Sequence, residues 1–227
     1  MANWCSSTIK FYSKDESEIR KMFDKFSEIY NSEPQVKNSF GHGFMGDYAR
    51  AFFPEIELEK IRCRGSIDMG DEVSNIGEYY CFSIFAVTAN SPLIGLWYNI
   101  VKKFYKKVRI AYIAEECSNG IFRKWDETEE LLFFPDTFYI DGCLPTKDGK
   151  CEYIDDRYQF GTVDEILKYL DERLPFKYDH KENLDDLTEE VQTKLDSRSD
   201  GAEYEEELYV QIAEFSEVSP ADYNMYQ

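Results

Sequence analysis

Histidine is almost missing from this chain, with only His42 and His180 among 227 residues. The two lie far apart, and no Cys-x-x-Cys pair accompanies them, so the usual zinc-site spacings are absent. No metal or cofactor is expected. Long apolar runs are also wanting, since nothing approaches the roughly 20 residues that span a bilayer. Positive charge is scarce, with 26 Lys and Arg against 45 Asp and Glu, for a net −19. A surface that negative repels phosphate backbones and anionic lipid, which argues against direct nucleic-acid binding and membrane docking. It steers instead toward basic protein surfaces, although plain solubility accounts for the same charge. The opening residues carry no basic segment followed by an apolar one. The expectation is a cytoplasmic setting in a host cell, with Cys5, Cys63, Cys81, Cys117, Cys143 and Cys151 as reduced thiols.

Aromatic residues, at 16%, and a hydrophobic share of 43% are ample for a core. Residues 8–12 read as a strand with Ile9 and Phe11 on one face. Ser13 and Glu16 then suggest a capping box for a helix whose stripe is Ile19, Met22, Phe23, Phe26, Ile29 and Tyr30. Residues 35–60 read as irregular, with one short helix from Asp47. Strands are expected over residues 61–67 and 79–88, separated by an acidic turn at 68–72. Cys81, Ser83, Phe85 and Val87 leave the second face of the latter strand largely apolar, so it is expected to be covered. Ser91-Pro92 reads as the N-cap and first position of a helix carrying Leu93, Leu96, Trp97, Ile100, Val101, Phe104 and Tyr105. Residues 108–114 return to strand. Strand, helix, strand, strand, helix, strand is the order of a ferredoxin-like βαββαβ sandwich.

Further short strands are expected over 121–125, 131–134 and 138–140, with hairpin turns at Asp141-Gly142 and Asp148-Gly149. Thr162 and Glu165 cap a helix through Ile166, Leu167, Tyr169 and Leu170. Residues 181–227 hold 14 acidic and 3 basic side chains, over half of the excess charge in the last fifth of the chain. Leu184, Leu187, Val191 and Leu195 suggest an amphipathic helix. Tyr204, Leu208, Ile212 and Phe215 suggest another, although Leu208, Val210 and Ile212 also alternate as a strand. The expected organisation is α+β. A ferredoxin-like domain with added strands spans 1–145, and an acidic, mainly helical extension spans 146–227 and packs on it.

Three segments together resemble the YubB-type ferredoxin-like family, whose members are encoded on phages and plasmids. Asn3-Trp4-Cys5-Ser6, leading into the first strand, is similar to that family's Asn-Trp-Cys-x-Asn opening. Thr88-Ala89-Asn90-Ser91-Pro92 stands where the family turns from strand to helix through Ser-Pro-Pro, with one proline here instead of two. Tyr112-Ile113-Ala114-Glu115-Glu116, followed by Gly120-Ile121-Phe122, looks like its Tyr-x-x-Glu strand and glycine turn. The resemblance covers the first 125 to 135 residues. It implies the same sandwich and carriage on a mobile element, and it lends no catalytic residues.

Gly41-His42-Gly43-Phe44-Met45-Gly46 matches G-x-G-x-x-G, but polar residues precede it and Pro54 limits any helix after it. A loop is expected there, not a dinucleotide site. Glu115 and Glu116 are strand neighbours pointing to opposite faces, so one at most enters a pocket. With Trp4 and Cys81, Glu115 is the candidate for a pocket on the sheet face. Lys102, Lys103, Lys106, Lys107 and Arg109 form the one basic cluster. It reads as the solvated back of the second helix, offsetting the helix dipole. Alternatives are a phosphate contact and a contact with the acidic C-terminal segment.

These features favour a non-catalytic interaction protein of a phage or mobile element. Asp185, Asp186, Glu189, Glu190, Glu203, Glu205, Glu206 and Glu207 would meet the basic, nucleic-acid-facing site of a host protein such as a defence or CRISPR nuclease. Carboxylates held on a rigid surface imitate spaced phosphates and pair with Arg and Lys. One alternative is a ligand-binding or oligomeric module, a homodimer included. Another is a small enzyme centred near Glu115, Cys81 or His42.

Overall fold

Inward and outward residues alternate along β1 (Trp4–Ser13), which buries Cys5, Ser7, Ile9 and Phe11 on one face. In the computed structural model, which describes residues 4–32, 43–56, 65–116, 120–135, 137–146, 150–154, 159–199 and 207–224, this strand has two antiparallel neighbours. They are β4 (Tyr79–Ala89) and β5 (Arg109–Glu116). Beyond β4 lie β2 (Gly65–Met69) and the short β3 (Ser74–Ile76), both antiparallel to it. Beyond β5 lie β6 (Ile121–Trp125), antiparallel, and the two-residue β11 (Ser216–Glu217), parallel to β6. The path across the sheet is β11-β6-β5-β1-β4-β2. Helix α1 (Glu16–Asn31) follows β1, α2 (Met45–Phe52) precedes β2, and α3 (Ile94–Phe104) joins β4 to β5.

The register sets Phe82, Phe11 and Ile110 abreast, and beside them Ile84, Ile9 and Tyr112. Phe26 of α1, Tyr48 of α2 and Trp97 of α3 pack on that face. The Phe26 ring centroid lies 5.3 Å from Phe11, 5.2 Å from Tyr48 and 5.8 Å from Trp97. Rings of this size each remove about 150–250 Å² from water, so this cluster is the main attraction joining the helices to the sheet.

A second sheet is built on β7 (Phe138–Pro145), which pairs with β8 (Cys151–Tyr153), β9 (Gln159–Phe160) and β10 (Tyr209–Glu214). Its own core joins Ile140 and Leu144 to Ile166 and Leu170 of α4 (Val163–Arg173) and to Leu187, Val191 and Leu195 of α5 (Leu184–Ser199). The predicted Thr162/Glu165 capping box starts α4. The chain forms two compact units, residues 1–134 with 216–227, and residues 135–215. Both mix helix and strand, so the protein is α+β.

Several expectations need correction. The domain boundary at 145 moves to 135 and 216, because β7 takes all its strand partners from the second unit. Of the two readings of the stretch through Ile212, helix and alternating strand, the strand holds: it is β10, held in register along β7. Asp141-Gly142 is no hairpin turn but lies inside β7. The glycine is needed because a Cβ there would stand 2.5 Å from the Tyr209 carbonyl oxygen on the neighbouring strand. Asp148-Gly149 falls outside the described residues.

Residues 131–134 are not a strand. The Asp126 carboxylate accepts the backbone N–H groups of Thr128, Phe133 and Phe134 and folds the segment into a turn. Ser13 ends β1 instead of capping α1, and Asp15 is the N-cap, accepting from Ser17 N–H. Helix α3 likewise starts at Ile94, not Pro92, after Leu93 in the left-handed region at φ 52°. Asp68 and Met69 are strand residues, and β3 is a strand that the sequence pattern does not reveal. Helix α2 lies where a short helix was expected from Asp47, and it begins two residues earlier.

Candidate functional site

The expected pocket of Trp4, Cys81 and Glu115 does not form. All three face the side of the sheet away from the aromatic cluster, but register separates Cys81 from the other two. Ser6 stands opposite Glu115, so Trp4 is Glu115's diagonal neighbour on that face. Cys81 pairs with Tyr12, eight residues further along β1, roughly 26 Å away at strand rise. Its thiol is buried and meets the Ser74 hydroxyl at 3.3 Å. Glu115 and Glu116 do point to opposite faces, and both are buried. Glu116 Oε2 has no hydrogen-bond partner among the described residues. Of G-x-G-x-x-G, Gly41 and His42 lie outside the described residues. Gly43, at φ +74°, has its carbonyl hydrogen-bonded by Ile67 N–H, and a Cβ there would meet the Ile67 carbonyl oxygen at 2.2 Å. This glycine serves strand packing.

The acidic residues are better placed. Leu187, Val191 and Leu195 anchor α5 to the second core, which turns Asp185, Asp186 and Glu189 outward to solvent. Asn183 Oδ1 accepts the N–H groups of Asp185 and Asp186 at 2.9 and 3.1 Å, and the first-turn carboxylates oppose the helix dipole. Glu190 is half-buried, accepting from Asp179 N–H and lying 3.7 Å from Lys194 Nζ. Glu207 is exposed, while Glu203, Glu205 and Glu206 fall outside the described residues. The sequence of the second unit holds 23 acidic and 9 basic side chains, a net −14 in 81 residues. The other 146 residues carry a net −5. The charge asymmetry therefore follows the division into units.

The basic cluster splits into different roles. Lys107 pairs with Asp15 at 2.7 Å, and Lys103 lies over the Phe53 and Phe104 rings. Lys102, Lys106 and Arg109 instead rim a cavity of about 420 Å³. Tyr98, Trp125 and the segment Ser219–Ala221 complete its walls, and Arg109 lies 3.4 Å from Glu127 on the same rim. The cationic side of this cavity was visible in the sequence. Its aromatic and C-terminal walls were not, since Trp125 and Ser219 come from elements remote in sequence and carry no motif.

Among the described residues no group of three or more His, Cys, Asp or Glu could hold a metal ion, and no helix is long and apolar enough to cross a membrane. Among the described residues Cys81 is a free, buried thiol. No family model, curated protein or solved structure matches the chain.

Proposed function

We propose that this chain is a non-catalytic interaction protein of a phage or other mobile element. Its second unit offers a carboxylate surface to a basic, nucleic-acid-facing site on a host protein, such as a defence nuclease, in the host cytoplasm. One observation carries the reading: a net −14 gathered in one 81-residue unit, with Asp185, Asp186 and Glu189 held outward on a packed helix. A solubility role alone would have no need to concentrate charge in one unit. Carboxylates fixed on a helix lose little entropy when they pair with Arg or Lys, and they release the partner's counterions as nucleic acid does.

The first unit we read as a ferredoxin-like sandwich of the YubB type. Supporting this are the antiparallel order β5-β1-β4-β2 and the placement of α1 after β1 and α3 after β4. The test is affinity capture from host lysate at low and high salt, comparing the native chain with Asp185→Asn/Asp186→Asn/Glu189→Gln. A basic protein held at low salt, released at high salt and lost with the triple variant is the expected result. Capture insensitive to both salt and the substitutions would end this reading.

A further inference from the structure

The geometry points to a binding site for a small organic anion, a flat ring carrying a phosphate or carboxylate, in the groove between the end of α3 and the returning C-terminal segment. It goes beyond the acidic-surface reading and rests on other residues.

The cavity of about 420 Å³ is within the size range of small-molecule sites. Its floor is apolar, made by buried Val101, Val108 and Ile110. Half-buried Tyr98 and Trp125 add aromatic walls, and a flat ring stacks or packs edge-on against such faces. The rim supplies the charge. Lys102, Lys106 and Arg109 stand there with a single carboxylate, Glu127. Three cations against one anion around one cavity reverse the sign of a chain whose net charge is −19.

Of the three cations only Arg109 has a carboxylate partner among the described residues. Lys106 makes no ion pair among the described residues. The Lys102 ammonium lies over the Tyr98 ring, 5.5 Å from its centroid. Arg109 shares its charge with Glu127. Ammonium groups beside an apolar floor hold an amphipathic anion in two ways. The charge steers and binds the anionic end, and the ring displaces water from the floor.

The fourth wall is preformed. Tyr112 Oη donates to the Val218 carbonyl at 2.7 Å, and Val218 N–H donates to the Lys124 carbonyl at 3.0 Å. Ser219 Oγ then accepts from Ala221 N–H, which fixes the turn that lines the groove. A wall already in place spares binding the entropy of ordering it. Arg109 and Glu127 also line a second cavity of about 360 Å³, but there Lys107 is paired with Asp15 and Lys14 with Glu78, so the excess of positive charge stays with the first groove.

The experiment is an NMR titration of the full chain with AMP, indole-3-acetate, adenosine and inorganic phosphate. It follows the indole N–H signal of Trp125, assigned with Trp125→Phe. AMP or indole-3-acetate is expected to move that signal, with adenosine and inorganic phosphate at least about tenfold weaker. Phenyl phosphate against benzoate, which share one ring, then identifies the anionic group as phosphate or carboxylate. Lys102→Ala/Lys106→Ala, at exposed positions, is expected to weaken binding about tenfold, and Glu127→Gln to tighten it a few-fold. The proposal is overturned if neither anion moves Trp125 at about 5 mM, or if adenosine or inorganic phosphate matches the better anion. Unchanged affinity in the lysine double variant also overturns it.

Discussion

Lys107 Nζ lies 2.7 Å from Asp15 Oδ2, across 92 residues of chain, and ties the turn after α3 to the N-cap of α1. Hydrogen bonds from Lys107, then from Ser17, hold the Asp15 carboxyl down at about 2. A carboxyl lowered on folding adds stability above its unfolded value of about 3.9, and that stability drains away as pH falls toward 2. Asp15→Asn keeps a good cap while removing the charge. Urea midpoints measured against pH should therefore show a shallower acid slope between about pH 4 and 2 for this variant.

Much of the first unit was legible in the sequence because burial there follows simple periods. Ile19, Met22 and Phe26 recur at helical spacing, and Ile9 and Phe11 at strand spacing, and the structure buries both sets. Punctuation was less dependable. Gly142 looks like a turn residue in sequence, whereas its role is to admit the Tyr209 backbone. Ser13 and Ser91 look like caps, but pairing of Ser13 with Tyr80 prolongs β1, and left-handed Asn90 and Leu93 delay α3. The groove was half-legible: its lysines sit together in sequence, while its aromatic walls meet only in space.

Gly142→Ala puts a methyl group against the Tyr209 carbonyl across a β-ladder, where neither strand can easily yield. The expected cost is about 1–3 kcal/mol, confined to the second unit. Hydrogen exchange should show faster opening of β7 and β10, with the amides of β1 and β4 unchanged.

Tyr112→Phe removes the hydroxyl that bonds both the Val218 carbonyl and, at 3.0 Å, the Tyr223 hydroxyl. Burial, followed by the neighbouring Tyr223, pushes the Tyr112 hydroxyl well above the usual phenol range, so it remains a donor at any working pH. The loss should be about 0.5–1.5 kcal/mol. It should appear first as faster exchange over residues 216–223, before the rest of the sheet is affected.

Thr162→Ala breaks the capping box at the start of α4, in which Glu165 N–H donates to Thr162 Oγ1. A destabilisation of about 1 kcal/mol is expected, read as a lower urea midpoint. Thr162→Ser should recover nearly all of it.

Self-repulsion in the second unit should respond to ions. Its net −14 is screened as salt rises past the point where the Debye length is about 10 Å. Calorimetry in low and moderate sodium chloride should show the second unit gaining more thermal stability than the first. Equal gains would mean the charge is too dispersed to strain the fold.

The second unit interrupts the first between residues 134 and 216, and its ends are stitched by Phe215 N–H donating to the Thr137 carbonyl. A ribosome therefore delivers β11 and the segment after it only once the whole insertion has been synthesised. Until then β6 is an unpaired edge and the cavity beside α3 lacks a side. Nascent chains halted before Ser216 would contain the Phe26, Tyr48 and Trp97 cluster but lack the Ser219–Ala221 wall of the groove.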